Sequence, residues 1–314
     1  MRAATESDRT YEVGVEQVVL RDDSRARSIP LKVFHPLGRG PFPVIVFSHG
    51  LGGSKESYDY LGRQWAAHGF VDVHPTHAGT DGGSFWKIVF GLVFARIGPN
   101  EVERLLADRA ADLSFVISSL ASIERNVPAV AGSIDARRVG VAGHSAGAAT
   151  ALLLGGASLE SNAGARRSLF DARVSALCVL SPPGSGLLGF DARSWNDIKV
   201  PTFTVRGSED DGTIGQRPIW RQEAFDGMPP ENKYHAVVNG ANHYTFADPG
   251  AFGMLGRLTA RGATGDPLRM RACVARLTTA YWNAYLHGDR SERERLERRA
   301  GAAPFGDLAT ILAR

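Results

Sequence analysis

Ser145 lies in "VGVAGHSAGAATAL", Val139 to Leu152, where an apolar strand-like run stops at Gly143 and a small-residue, helix-like run begins around Gly147. A plain turn needs neither glycine at that spacing. A serine nucleophile on a strand-to-helix elbow needs both, because its hydroxyl must stand clear of the sheet on strained backbone while neighbouring backbone packs too close for side chains. The next amide, that of Ala146, opens a helix and points at developing negative charge. A serine alkoxide needs a base, and the base needs an orienter. In this arrangement the chain order is serine, acid, histidine. The histidines after Ser145 are His235, His243 and His287. His243, in "NGANHYTF", follows an apolar strand in a Gly/Asn loop able to reach the sheet's C-terminal edge; His235 falls inside that strand and His287 ends a helix. The acid is expected in "RGSEDDG", where Glu209, Asp210 and Asp211 all follow a strand end. The "SHGLGG" loop fits a second oxyanion donor, the Leu51 amide, and His49 reads as a residue that holds this loop by hydrogen bonds.

These residues require a sheet whose strands end on one edge. "FPVIVFSHG" is a continuous apolar run bounded by proline and glycine, as in a strand covered on both faces. "FVDVHPTH", "RRVGVAG", "VSALCVLSP", "VPTFTVRG" and "KYHAVVNG" read as further strands, after an edge hairpin of "YEVGVEQVVL" and "IPLKVFHP". Helical runs alternate with them. One is "NEVERLLADRAADLSFVISSL", with Asn100 and Glu103 as a capping box; another is Met270 to Leu286. Strands alternating with helices predict a mostly parallel sheet with helices on both faces. The expected organisation is one domain over residues 1–288, followed by a helical C-terminal extension over 289–314.

The 314 residues are ordinary globular material, 43% hydrophobic and 22% charged, with a net charge of +3 that is too small to argue for nucleic acid. Cys178 and Cys273 each lie in an apolar run and read as two buried free thiols. No CxxC, HExxH or Cys/His cluster suggests a metal site. The first twenty residues hold no apolar core of signal-peptide type, which makes the chain as given cytoplasmic unless an export signal has been removed. Phe85 to Ile97 is apolar but is interrupted by Lys87 and Arg96, too short and too charged to span a membrane.

Taken in order, "VFSHGLGGSKESYDYLGRQWAAHGF", "VGVAGHSAGAATAL", "RGSEDDG", "GANHYTF" and "TTAYWNAYLHGD" resemble the α/β-hydrolase fold family over nearly the whole chain. The closer likeness is to bacterial esterases grouped with dienelactone hydrolases, platelet-activating-factor acetylhydrolases and chlorophyllase/cutinase-type hydrolases. The resemblance implies an α/β-hydrolase fold and a cofactor-free serine esterase. In it Ser145 is the nucleophile, His243 the base, and Leu51 and Ala146 the oxyanion donors. The acid is implied to be Asp210, since the family's Gly-x-x-Asp spacing counted from Gly207 ends there. Dienelactone hydrolases carry cysteine where this chain has Ser145. Polyester-degrading cutinases carry aromatic residues where this chain has Leu51 and Pro183, so Pro183 is a candidate substrate contact without an aromatic clamp.

The expected partner is a small or lipid-like ester. Two other readings are acyl transfer or perhydrolysis on the same triad, and a non-catalytic binding protein that keeps the fold. "GTDGGSFWKIVFGLVFARIGP" sits between a strand and its helix, where such sheets line the site's mouth. Residues 85–97 read either as a short helix tucked into the core or as a flap hinged at Gly82, Gly83 and Gly98. In the flap, Phe85, Trp86 and Phe90 are the candidate substrate contacts.

Overall fold

The computed structural model describes residues 10–81, 98–160, 165–212, 215–251, 262–299 and 307–314. Its strands are β1 (Val13–Asp22), β2 (Arg27–Pro36), β3 (Phe42–Ser48), β4 (Val71–Pro75), β5 (Ile134–His144), β6 (Ser158–Glu160), β7 (Arg166–Ser168), β8 (Val174–Leu180), β9 (Thr202–Gly207), β10 (Lys233–Val238) and β11 (Ala309–Ala313). The helices that matter for the site are α1 (Asp59–Ala67), α2 (Pro99–Ser118), α3 (Ala146–Leu154), α4 (Pro267–Trp282) and α5 (Arg290–Arg299). Among the described residues nine strands form one sheet in the order β1-β2-β4-β3-β5-β8-β9-β10-β11. From β4 across to β10 every neighbouring pair is parallel, and antiparallel pairs occur at the two flanks. This is the α/β-hydrolase fold, and it brings the C-terminal ends of β3, β5, β8, β9 and β10 to a common edge.

Alternation within the central strands builds a core on each face. Val44 and Val46 of β3, Val139 and Val141 of β5, and Leu177 and Val179 of β8 pack with the apolar faces of α2 and α3. Their neighbours Ile45, Phe47, Ala142, Cys178 and Leu180 pack on the other face with Trp65 of α1 and with Val274, Tyr281 and Trp282 of α4. Gly140 permits the close seating of α4, because a Cβ there would lie 2.6 Å from the Trp282 ring. Cys178 and Cys273 are both buried and free. No helix of the described residues is long and apolar enough to cross a membrane.

Two expectations are corrected. Helix α2 starts at Pro99 with Gly98 as its N-cap and no side-chain cap, so Asn100 and Glu103 fall inside the first turns instead of forming a capping box. Proline suits that first position because its fixed φ is helical and an N–H there would have no intrahelical acceptor. The region 289–314 is not a purely helical appendage. Among its described residues only α5 is helical, and β11 pairs antiparallel with β10, Ala309 to Val238 through Ala313 to Tyr234, as the last strand of the main sheet. "ATILA" alternates, so Ala309 and Ile311 are buried while Thr310 and Leu312 are exposed; five residues of this pattern complete an edge where no helix period is available. Ile311→Ala is expected to cost about 2–4 kcal/mol in urea unfolding. A loss under about 0.5 kcal/mol would make β11 a dispensable tail.

Candidate active site

Ser145 sits between the end of β5 and the start of α3 with φ 56° and ψ −117°. A non-glycine residue in this region costs on the order of 1–3 kcal/mol and persists only where its surroundings over-determine it. They do so here. The Ser145 N–H donates to Leu180 O at 3.0 Å, and its carbonyl accepts from Ala149 N at 3.0 Å. A Cβ on Gly147 would lie 1.9 Å from Ser48 O, and one on Gly143 would lie 2.3 Å from Gly147 O. Both glycines are therefore required by backbone contact, the first between α3 and β3 and the second within the elbow.

His243 opens a short 3₁₀ turn, His243–Phe246, that Asn242 caps. The Asn242 side chain accepts from Tyr244 N and Thr245 N, each at 3.1 Å, while Thr245 Oγ1 accepts from Asn242 N at 3.0 Å. This capping box directs the imidazole back across the sheet edge. His243 Nδ1 is 3.0 Å from Asp210 Oδ1, and His243 Nε2 is 3.0 Å from Ser145 Oγ. A carboxylate oxygen only accepts, so Nδ1 carries the proton and the bare Nε2 accepts from the serine hydroxyl. Of the three acids in the turn, the structure brings Asp210 to His243. Its side chain is buried, while Asp211 is exposed and offers only its backbone carbonyl to Arg221.

Asp210 is held from every side. Oδ2 accepts from the Ser181 hydroxyl, and Oδ1 takes an ion pair from Arg221 Nε at 2.7 Å. Burial pushes the Asp210 carboxyl up, but the Arg221 charge and the His243 bond outweigh it and bring it down to about 2. His243 is held below its ordinary value by burial and by the Arg221 charge, against the pull of Asp210.

The "SHGLGG" loop runs beside the elbow, since a Cβ on Gly50 would lie 3.4 Å from Ser145 Cβ. Gly52 N donates to Thr80 O and Gly53 N to Gly50 O. Among the described residues the Leu51 and Ala146 amides donate to no backbone carbonyl outside the regular elements, and Ala146 N, at the first position of α3, has no intrahelical acceptor. His49 pins the loop: Nδ1 donates to Gly50 O at 2.7 Å, and Nε2 accepts from His77 N at 3.1 Å. Beneath it lies Arg109 of α2, fully buried. Its guanidinium donates to Ser48 Oγ, the His49 carbonyl, Thr80 Oγ1 and Thr150 Oγ1. Burial lowers Arg109 to about 9, so it stays charged at neutral pH.

The sequence reading missed four residues that hold this arrangement. His144 Nε2 donates to the carbonyl of His243 at 3.0 Å, and its Nδ1 accepts from the Tyr58 hydroxyl at 2.8 Å. Burial keeps His144 well below its ordinary value, hence neutral, as that bonding pattern requires. Tyr58, Arg109 and Arg221 are the others. The available signal was a charged residue on an apolar stripe: Arg109 falls among Leu106, Ala110 and Leu113, all buried. Pro183 is buried in the segment after β8, next to Pro182, whose carbonyl accepts from Arg221. Phe85, Trp86 and Phe90, and the flap over 85–97, lie outside the described residues.

Residues 15–86 match the family model described as platelet-activating factor acetylhydrolase, isoform II. That stretch runs from β1 past β4 and includes the "SHGLGG" loop but not Ser145, Asp210 or His243. The chain is 29% identical over 155 residues to a platelet-activating factor acetylhydrolase of Cavia porcellus, covering 40% of this chain and 34% of that protein. It is 28% identical over 214 residues to Cutinase est2 of Thermobifida alba, covering 68% and 56%. It is 24% identical over 287 residues to a chloroplastic Chlorophyllase-1 of Citrus sinensis, covering 88% and 78%. The chain thus spans 34% and 56% of the acetylhydrolase and the cutinase. It resembles the α/β-hydrolase serine esterase group.

The buried histidines make stability depend on pH. Burial holds His49 and His144 well below the ordinary 6.5 and lowers His77 to about 4. Below pH 6.5 the unfolded chain binds protons that the folded chain refuses, so stability is full above that pH and falls as pH drops toward 4. Each such group contributes a slope of about 1.4 kcal/mol per pH unit. Melting temperature is expected to fall steadily from pH 7 to pH 4.5, before Asp210 begins to titrate. A flat profile over that window would contradict the neutral assignment.

Proposed function

We propose that this chain is a serine hydrolase that cleaves carboxylic esters through an acyl-enzyme intermediate. The observation that carries the reading is the unbroken hydrogen-bond chain from Ser145 Oγ through the His243 ring to Asp210. In this reading His243 Nε2 takes the Ser145 proton as Oγ attacks the ester carbonyl carbon. The carbonyl oxygen becomes an oxyanion between the Leu51 and Ala146 amides, which are preorganised donors and need no reorientation during the reaction. As the carbonyl re-forms, the C–O bond to the alcohol breaks, and His243 returns the proton to the leaving oxygen. Water then attacks the acyl-serine with the same histidine as base and releases the acid. Asp210 fixes the Nδ1–H tautomer and stabilises the transient imidazolium without taking the proton. No step calls on a cofactor.

The likeness to a platelet-activating factor acetylhydrolase and a cutinase supports a small or lipid-like ester as the substrate class. With 4-nitrophenyl esters from acetate to palmitate, Ser145→Ala is expected to lower kcat by about 10³-fold or more and to abolish fluorophosphonate labelling. His243→Ala is expected to cost about as much, and Asp210→Asn about 10²–10⁴-fold, with Asp211→Asn milder. Near-normal turnover by Ser145→Ala would refute the proposal.

A further inference from the structure

We propose that Arg221 is a positioning residue of this site, holding the Asp210 carboxylate against the His243 ring and setting the acid limit of turnover. The proposal rests on the hydrolase reading above. Arg221 lies in a single turn, Pro218–Gln222, and its side chain is buried. Among the described residues its hydrogen bonds and ion pair end on the acid turn or on Ser181 and Pro182, just past β8. Nε lies 2.7 Å from Asp210 Oδ1 and 2.9 Å from Asp210 O; Nη1 donates to Ser181 O at 2.9 Å and Pro182 O at 3.4 Å; Nη2 donates to Asp211 O at 2.9 Å. The planar fork thus fixes the backbone on both sides of the carboxylate as well as the carboxylate itself.

Oδ1 is the oxygen that His243 Nδ1 also binds, at 3.0 Å. One carboxylate oxygen is therefore shared between an imidazole and a permanent cation. A histidine paired with a carboxylate alone favours its protonated form, because the nearby negative charge stabilises imidazolium. The guanidinium on the far side of the same oxygen offsets much of that charge. The base remains neutral, and so able to accept the Ser145 proton, to lower pH than an uncompensated Asp–His pair allows. Among the described residues, the other titratable or charged groups around the pair do not duplicate this. His144, with its ring centroid 4.6 Å from that of His243, is neutral. Tyr244 meets His243 edge-on at 5.5 Å. Arg206 feels the Asp210 charge but makes no ion pair with it, and Asp211 acts on Arg221.

The test is kcat/KM for a 4-nitrophenyl ester against pH, for wild type, Arg221→Gln, Arg221→Met and Arg221→Lys, with active sites counted by fluorophosphonate titration. The uncharged variants are expected to move the acid limb to higher pH and lower the high-pH plateau by about 10- to 100-fold, mainly in kcat. Arg221→Lys keeps the charge but not the fork, so its limb is expected to stay near wild type while its plateau falls. An acid limb in Arg221→Gln or Arg221→Met that coincides with wild type overturns the proposal whatever happens to the plateau. Failure of both uncharged variants to yield folded protein also overturns it, by making Arg221 a folding residue. Wild-type protein that neither turns over esters nor takes the label would instead sink the hydrolase reading, and this proposal with it.

Discussion

The approach of Gly147 to the Ser48 carbonyl governs the geometry of this protein. A Cβ at Gly147 would come within 1.9 Å of that oxygen, so the first turn of α3 lies directly on the end of β3 with no side chain between. That contact sets the height of the elbow above the sheet. It brings the Ser145 hydroxyl within reach of His243 and puts the Ala146 amide on the same side as the Gly50–Leu51 loop. The strained backbone of Ser145 is maintained because its own N–H is bonded to Leu180 O at the end of β8 and its own carbonyl to Ala149 N of α3. A looser elbow would let φ relax and would lower the hydroxyl toward the sheet.

Two buried guanidinium groups stand on either side of this elbow, and they work differently. Arg109 lies under the "SHGLGG" loop and ends on neutral oxygens; among the described residues it has no carboxylate in ion-pair contact, and Asp112 nearby is taken by Arg25, Arg27 and His77. Burying a cation in this way is costly, and its bonds to oxygens from β3, the 77–80 turn and α3 offset that cost. Arg221 lies behind the acid and is paired directly with it. Arg109 therefore braces the backbone of the "SHGLGG" loop, while Arg221 is paired with the carboxylate that the imidazole meets. His144 and Tyr58 join the two halves: one ring reaches the His243 carbonyl and accepts from a hydroxyl on the residue just before α1.

Local pattern made much of this legible in advance. The apolar runs of β3, β5, β8, β9 and β10, the two glycines around Ser145, and a histidine in a Gly/Asn loop after the last parallel strand are all local features. Local features suffice because a doubly covered strand, an elbow and a loop histidine each follow from short-range chemistry. The Gly-x-x-Asp spacing pointed to Asp210, but adjacent acids in a turn differ only in direction. The packing of Arg221 and Ser181 decided that Asp210 faces inward and Asp211 outward.

The sequence by itself determined which strands are buried, where the chain must bend at Ser145, and which residue types meet at the sheet edge. Tertiary structure alone decided the rest, since each remaining choice depends on partners distant in the chain. The return of β11 to the sheet edge beside β10 is such a choice. So is the recruitment of Arg109 and Arg221 to opposite sides of the elbow. An arginine on a helix or in a turn looks the same in sequence whether it faces water or a buried carboxylate. The difference lies in what other segments bring to it: the His49 and Ser181 carbonyls just past β3 and β8, and the Asp210 carboxylate in the turn after β9. Those partners exist only once the sheet has brought its strand ends together, and that long-range assembly fixed the charge and direction of every group around Ser145.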